Sequence, residues 1–364
     1  MTRVGRGEPG ITRRMRDQSM EFFERLLEAA GPSGDERLPA RVWRDYTAGF
    51  AETRHDPLGS SIAVANASGT PSVAVFGHVD EIGLVINHVD DDGFCWFGGV
   101  GGWDPEVLVG QRMRILGNHG EVTGVIGKKA RHHQDAEDRE KPSKIRDLWV
   151  DVGATSRAEA AELVSVGDLA VLAQPVVRLA NGRIATRAAD NRCGAFVAAE
   201  AVRLYTEQGG AAELTGVATV GEETAFRGAY TAGYAVAPDV AIAVDVTNAT
   251  DYPSTSKQQY GQVELGKGPA LARGAGVHPV VFEGMVEAAR QEGIPIQVEP
   301  VGGSTQTDLD AVSLTRSGVP GVVVSIPLRH MHSPNELLDP ADLEACAALV
   351  AAYARRLTEA PTAE

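Results

Sequence analysis

Cysteine is scarce in this chain of 364 residues, which contains only Cys95, Cys193 and Cys346. An odd number of cysteines without C-x-x-C spacing excludes both a disulfide framework and a structural zinc knot. Scattered free thiols fit a reducing compartment, so the cytoplasm is the expected location.

Long apolar runs and positive charge are also missing. No run approaches the roughly 18 to 20 residues that a membrane-spanning helix needs, so no membrane partner is expected. The formal net charge of -15 argues against a nucleic-acid partner, because phosphate binding needs a basic surface. Residues 1–18 are the exception, since they hold five arginines without a following apolar core. We interpret them as a mobile leader rather than a signal peptide.

The length favours two domains, and the texture of the sequence divides the chain at two places. Residues 1–80 and 172–364 alternate helix-like and strand-like segments, which is typical of an α/β fold. Residues 81–171 show many short apolar runs separated by turn residues, a pattern that indicates a small barrel or sandwich. We therefore predict a discontinuous α/β domain interrupted by an inserted β-rich domain.

Acidic residues and histidines follow the buried strands of the predicted α/β domain. Continuous apolar runs such as 73–76 and 240–244 are typical of strands that are buried on both faces. The residues that follow such runs, or open the helix after a strand-like segment, are His78, Asp190, Glu222, Glu223, Asp245 and His332. Open α/β sheets bind ligands at the carboxyl ends of their strands, so we expect these side chains to converge on one edge.

The residue types at this edge suit a pair of divalent ions that share one bridging carboxylate. Mixed nitrogen and oxygen ligands favour zinc, cobalt or manganese over calcium, and zinc is the expected metal. Adjacent Glu222 and Glu223 cannot face the same way, which favours one as a ligand and the other as a general base. Asp80 lies two residues after His78, where its carboxylate can orient the imidazole.

The motifs extend along most of the chain, from Gly31-Pro32-Ser33-Gly34 through Gly102-Trp103-Asp104-Pro105 to His330-Met331-His332-Ser333-Pro334. In their order and wording the sequence resembles the tetrahedral aminopeptidase family, di-metal peptidases that include glutamyl and deblocking aminopeptidases. The resemblance implies a mixed-sheet α/β catalytic domain with an inserted small β-barrel-like domain. In that family the inserted domain mediates dimers, which assemble into a homo-dodecamer.

The resemblance also implies a role for each residue of the site. The implied ligands are His78 and Asp245 for one metal, Glu223 and His332 for the other, and Asp190 as the bridge. Glu222 would be the general base, and Asp80 would hold His78 in orientation.

Three parts of the sequence differ from the motifs that are usual in the family. Ala225 replaces a Gly after the glutamate pair, and His330 stands where Tyr or Asn is usual. Residues 302–308 differ from the usual Gly-Thr-Asp-Ala segment. We expect these departures to affect substrate preference more than metal binding, because specificity pockets are built from loops.

We predict a metal-dependent aminopeptidase that removes N-terminal residues from short peptides, using water activated between two divalent metals. A deacylase or amidase on the same scaffold is the main alternative, since it would need no free N-terminus. A glycoside hydrolase would leave the two histidines unexplained, and a non-enzymatic assembly protein would leave the base unexplained. A catalytic thiol at Cys193 would need a base of its own.

Overall fold

The computed structural model describes residues 15–117 and 120–362. The helices in chain order are α1 (Asp17–Glu28), α2 (Arg37–Thr47), α3 (Ala136–Arg139), α4 (Arg157–Leu163), α5 (Ala189–Gln208), α6 (Glu222–Ala225), α7 (Arg227–Val236), α8 (Lys257–Tyr260), α9 (Pro279–Glu292), α10 (Asp308–Val312) and α11 (Pro340–Arg356). Helix α11 begins where the sequence indicates, because Pro340 lies in its first turn and the Asp339 side chain accepts the Ala341 N–H at 3.1 Å.

The strands form three sheets. In chain order they are β1 (Glu52–His55), β2 (Ser61–Ala65), β3 (Ser72–His78), β4 (Gly83–Val89), β5 (Cys95–Val100), β6 (Arg112–Gly117), β7 (Gly120–Lys128), β8 (Leu148–Asp151), β9 (Leu169–Leu172), β10 (Val177–Arg178), β11 (Ile184–Thr186), β12 (Glu213–Thr219), β13 (Val240–Asn248), β14 (Ala270–Gly274), β15 (Gln297–Val301), β16 (Gly321–Leu328) and β17 (Glu336–Leu338). Eight of them make a mixed sheet in the spatial order β1-β2-β12-β3-β13-β16-β14-β15. Neighbouring strands in the central group β12, β3, β13 and β16 run parallel, so their carboxyl ends meet at one edge.

Six further strands close an antiparallel barrel in the order β4-β5-β8-β7-β6-β9. The pairing of β9 with both β4 and β6 completes the closure. The predicted fold class, a mixed-sheet α/β domain with an inserted barrel, is confirmed. Sequence texture left barrel and sandwich open, because alternation along a strand does not specify which edge strands will pair.

Apolar clusters cover both faces of the large sheet. On one face, side chains of α1, α2, α5, α9 and α11 pack together, among them Phe23, Phe196 and Leu343. On the other face, α7 and α10 contribute Ala229 and Leu309, which pack against Phe76 and other sheet residues. Burial on both faces explains why the central strands are continuous apolar runs rather than alternating ones.

The amino-terminal leader lies mostly outside the described residues, which start at Met15. Met15 is buried in the larger apolar cluster, and α1 already begins at Asp17. The last residues of the predicted leader, from Met15 onward, therefore belong to the folded domain.

A buried ion-pair cluster lies where the chain passes from the large sheet to the barrel. Glu81 accepts hydrogen bonds from Arg187 and from Arg192, the latter at 3.1 Å, and all three side chains are buried. The Gly31 N–H donates to the same carboxylate at 3.1 Å. These contacts hold in place the segment directly after Asp80, where the chain passes from the large sheet to the barrel.

Helices of the described part of the chain are too short or too polar to cross a membrane.

Candidate metal centre

Residues from the central strands point to one face of the sheet at its carboxyl edge. His78 ends β3, two residues after Phe76, and Asp245 lies on β13, two residues after Ala243. Phe76 and Ala243 both belong to the apolar cluster under α7 and α10. Because side chains alternate along a strand, His78 and Asp245 face the same side as that cluster. The expected convergence therefore begins with two adjacent parallel strands.

Two short connections bring three more carboxylates to this edge. Asp190 is the second residue of α5, but its backbone angles (φ -78°, ψ 108°) are not helical. Glu222 and Glu223 open α6 directly after β12, and Gly221 makes the turn with φ +65°. Glycine suits this conformation because it lacks a Cβ.

Distances between the side chains define two neighbouring groups. The Nε2 atom of His78 lies 3.3 Å from Asp190 Oδ1, 3.6 Å from Glu222 Oε2 and 4.0 Å from Asp245 Oδ1. The Nε2 atom of His332 lies 3.2 Å from Asp190 Oδ2 and 3.6 Å from Glu223 Oε1. Each oxygen of Asp190 thus faces a different imidazole, which is the geometry of a shared ligand.

Two sets of donor atoms are close enough to hold an ion. One set is His78, Glu222 and Asp245, and the other is His78, Asp190 and Glu223, with the ligand atoms of each set within 4.8 Å of one another. Glu222 therefore lies among the donors on the Asp245 side, while Glu223 lies on the His332 side. The two adjacent glutamates diverge, as their adjacency predicts.

The electrostatics of the cluster call for added positive charge. Burial raises the pKa of Glu222 to about 10, and the charges of Asp245 and Asp308 add to this rise. Burial raises the pKa of Asp245 as well, with a further contribution from Asp190. Within residues 15–117 and 120–362, no Lys or Arg forms an ion pair with Asp190, Glu222, Glu223 or Asp245. Buried carboxylates of this density fit divalent cations, which would stabilise their charged forms.

The neighbouring carboxylates raise the pKa of both imidazoles. Hydrogen bonds to Asp190 and Glu223 raise the pKa of His332 to about 11. Burial opposes a similar rise at His78, yet the charge of Glu222 and the hydrogen bonds to Asp190 and Asp80 hold its pKa well above the usual range. Cations bound here would coordinate the neutral imidazole rings, and the protons that the rings carry would be released.

Asp80 contacts the backbone and side chains that surround His78. Its Oδ1 atom lies 3.5 Å from His78 Nδ1, while the N–H groups of Glu222 and Glu223 donate to its two oxygens at 3.2 Å each. The hydroxyl of Ser33 donates to it as well. Burial would raise the pKa of Asp80, but the hydrogen bond with His78 lowers it. The carboxylate is therefore fixed beside His78 Nδ1 and the start of α6.

A family model described as M42 glutamyl aminopeptidase matches residues 59–349, well over half of the chain. The chain belongs to this M42 family. Its resemblance to the tetrahedral aminopeptidases is thereby confirmed. As an M42 peptidase the protein is a hydrolase, and the prediction of a metal-dependent aminopeptidase is confirmed at this level.

Known relatives of the M42 peptidase match along nearly their whole length. The chain is 36% identical over 333 residues to a lysyl aminopeptidase of Pyrococcus furiosus, and the match covers 89% of this chain and 93% of the relative. The solved structure of a TET aminopeptidase from a marine sediment archaeon of the Thaumarchaeota has a TM-score of 0.90 at 36% identity, covering 94% and 97%. A Pyrococcus horikoshii TET1 peptidase that can assemble into a tetrahedron or a large octahedral shell has a TM-score of 0.83 at 28% identity, covering 93% and 100%.

Glu336 is a residue of the M42 site that the sequence analysis missed. Its buried carboxylate accepts the N–H of Asp190 at 3.0 Å and the N–H of His332 at 2.9 Å. Strand β17 carries it beside β11, where Glu336 is opposite Thr186, just before the Asp190 turn. This pairing and its place four residues after His332 bring Glu336 to the site, and nothing in the sequence distinguishes it from other glutamates.

Replacing Glu336 with glutamine is expected to weaken metal affinity by roughly 10- to 100-fold, as changes behind metal ligands commonly do. The amide nitrogen of glutamine cannot accept the second backbone N–H, so Asp190 or His332 would lose its support. Metal titration of the apoprotein measures the effect. Glu162, an exposed residue of α4, provides a matched control in Glu162→Gln. An affinity equal to that of the control would contradict this role for Glu336.

The barrel of the M42 peptidase approaches the site through its glycine-rich turn. A Cβ atom on Gly101 would lie 3.2 Å from Glu223 Oε2, and one on Gly102 would lie 3.4 Å from His332 Nδ1. Gly101 also has φ +77°, which favours glycine. The turn therefore forms part of the wall beside His332, whose side chain is 35% exposed.

The three sequence departures have defined places in the structure. Ala225 ends α6, and the next residue, Phe226, has a left-handed backbone. The ring of His330 faces Tyr252, with centroids 6.2 Å apart. In the 302–308 segment, buried Asp308 accepts from the Thr219 hydroxyl, and its Oδ1 atom has no partner among the described residues.

Cys193 is buried, and burial raises its pKa well above the usual value for a thiol. A protonated, inaccessible thiol is a poor nucleophile, which agrees with the sequence argument against thiol catalysis.

Proposed function

We propose that this M42 peptidase removes N-terminal residues from short peptides, with two divalent cations held by His78 and Asp245 on one side and Glu223 and His332 on the other. Asp190 would be shared between them. The observation that carries the proposal is the position of Asp190, whose two oxygens lie 3.3 Å and 3.2 Å from the two imidazoles. Zinc is the proposed metal, with cobalt or manganese as substitutes, because the donors are mixed nitrogen and oxygen.

The cations, when bound, would polarise the peptide carbonyl and make a nearby water acidic. Glu222 would take a proton from that water and return it to the leaving amine. Its position supports this role, because its carboxylate lies 3.6 Å from His78 Nε2 and is almost fully buried. Asp80 would keep His78 oriented, and Glu336 would hold the backbone of Asp190 and His332.

A deacylase or amidase would use the same residues, and the N-terminus of the substrate separates the two functions. We expect the enzyme to hydrolyse a leucyl coumarin amide on the order of 10³-fold faster than its N-acetyl counterpart, since a site that binds an amine rejects a substrate that lacks it. Comparing kcat/KM for the two substrates on the same metal-loaded preparation measures this. Faster hydrolysis of the acetylated substrate would favour the deacylase.

The domain division is also part of the proposal. Residues 1–80 and 172–364 would form the catalytic domain, and residues 81–171, which contain most of the barrel, would form the dimerisation domain. We propose dimers that build a homo-dodecamer, supported by the tetrahedral assembly of the Pyrococcus horikoshii relative. The three buried free cysteines support a cytoplasmic location.

A further inference from the structure

Glu299 is a half-buried carboxylate on the outermost strand of the large sheet, β15. It accepts hydrogen bonds from the hydroxyl of Thr247 and, at 2.8 Å, from the hydroxyl of Ser325. Among the residues that the structure describes, no Lys, Arg or His forms an ion pair with Glu299. The carboxylate is thus held in one orientation by two neutral donors, with its charge uncompensated.

The contacts of Glu299 place it on the sheet face that carries the metal centre. Thr247 lies two residues after Asp245 on β13, so the two side chains face the same way. Ser325 is paired directly with Asp245 on the neighbouring strand. Val323, two residues before Ser325, belongs to the apolar cluster of this face, and Val301, two residues after Glu299, packs against it.

The spacing follows from sheet geometry. Thr247 is about 7 Å from Asp245 along the strand, and Ser325 is about 5 Å away across the ladder. A carboxylate bonded to both hydroxyls therefore lies about one side-chain length from the proposed ligand Asp245.

We propose that Glu299 binds the cationic end of an N-terminal Lys or Arg side chain and so makes the enzyme selective for basic residues. This inference rests on the proposed aminopeptidase function, in which the N-terminal amine of the substrate would lie near the metals. The four-carbon stem of lysine is long enough to extend from a substrate amine near the metals to Glu299. Each oxygen of Glu299 accepts one hydroxyl and retains a further lone pair for an ammonium or guanidinium donor.

The charge of the substrate's N-terminal side chain determines how well it binds at Glu299. An acidic side chain would meet like charge at Glu299, so it would bind poorly. An apolar side chain would leave the half-buried carboxylate without a cation and take water from it, which is unfavourable. A basic side chain would balance the charge of Glu299 through a charge-assisted hydrogen bond.

The test compares aminoacyl coumarin amides of Lys, Arg, Leu and Glu with metal-loaded enzyme. We expect the wild type to have its highest kcat/KM for Lys and Arg. Glu299→Gln should lower kcat/KM for Lys by about 10- to 100-fold, the usual worth of a charge-assisted hydrogen bond, while Leu changes by less than about 3-fold. Glu299→Asp keeps the charge and should retain the preference for basic residues. Glu283→Gln is the matched control, because that side chain is 66% exposed on α9.

Using the Lys-to-Leu ratio within each preparation removes differences in folding or metal loading. A wild type that prefers Leu or Glu, or a ratio that Glu299→Gln leaves unchanged, would overturn the inference about Glu299. If the wild type cleaves none of the four substrates, the proposed aminopeptidase function itself fails. The two failures are therefore distinguishable.

Discussion

Replacing Glu222 with glutamine is expected to lower kcat by about 10²- to 10⁴-fold while both cations stay bound, because the variant would lose the proposed general base. Glutamine keeps the size and polarity of the side chain but cannot take a proton from water. The buried position of Glu222, among Asp245 and Asp308, raises its pKa in the free protein. Bound cations would lower that pKa toward the range in which a carboxylate can act as a base.

Metal content and turnover measured on the same sample test this prediction. Elemental analysis should find two ions per subunit in Glu222→Gln, with KM close to that of the wild type. The adjacent Glu223→Gln is the matched comparison, since Glu223 lies 3.6 Å from His332 Nε2 and should lose one ion. Loss of metal from Glu222→Gln would instead make Glu222 a ligand, which its position among the donors with His78 and Asp245 also allows.

The second large effect is expected at Asp190. Asp190→Asn should lose both cations and reduce turnover to background, because one carboxylate faces both imidazoles. An asparagine amide offers one oxygen ligand, so it cannot serve two ions in the same way. The wild type stripped with EDTA should be equally inactive.

Adding zinc, cobalt or manganese separates the two inactive samples. The stripped wild type should recover activity, whereas Asp190→Asn should not recover at the same metal concentration. Asp45→Asn, an exposed change on α2, controls for the effect of the substitution itself. Full activity of the wild type after exhaustive chelation would refute the metal requirement.

Much of the site was predictable because the ends of parallel strands share one edge. His78, Glu222, Glu223 and Asp245 each follow or end a continuous apolar run, so buried strands could be recognised and their ends compared. The large sheet then brings these ends together by its parallel pairing. Local sequence and general sheet topology were sufficient for these residues.

Residues that reach the site through nonlocal pairing were not predictable. Glu336 lies four residues after His332, but its contact with Asp190 depends on the pairing of β17 with β11. Glu299, the residue proposed to set specificity, lies on an edge strand whose sequence, Gln-Val-Glu-Pro-Val, lacks a continuous apolar run. Barrel closure belongs to the same class, since it depends on which strands pair across long separations. A pattern in one segment carries no information about which distant segment it will pair with.

The turn at Gly101 makes the absence of a side chain a structural requirement. A Cβ at this position would lie 2.6 Å from the Ile82 side chain and 3.2 Å from Glu223 Oε2, and the φ of +77° at Gly101 already favours glycine. Selection on catalysis would therefore reach into the barrel, although Gly101 carries no reactive chemistry. An exchange of barrels between relatives would preserve activity only if the incoming turn were equally thin.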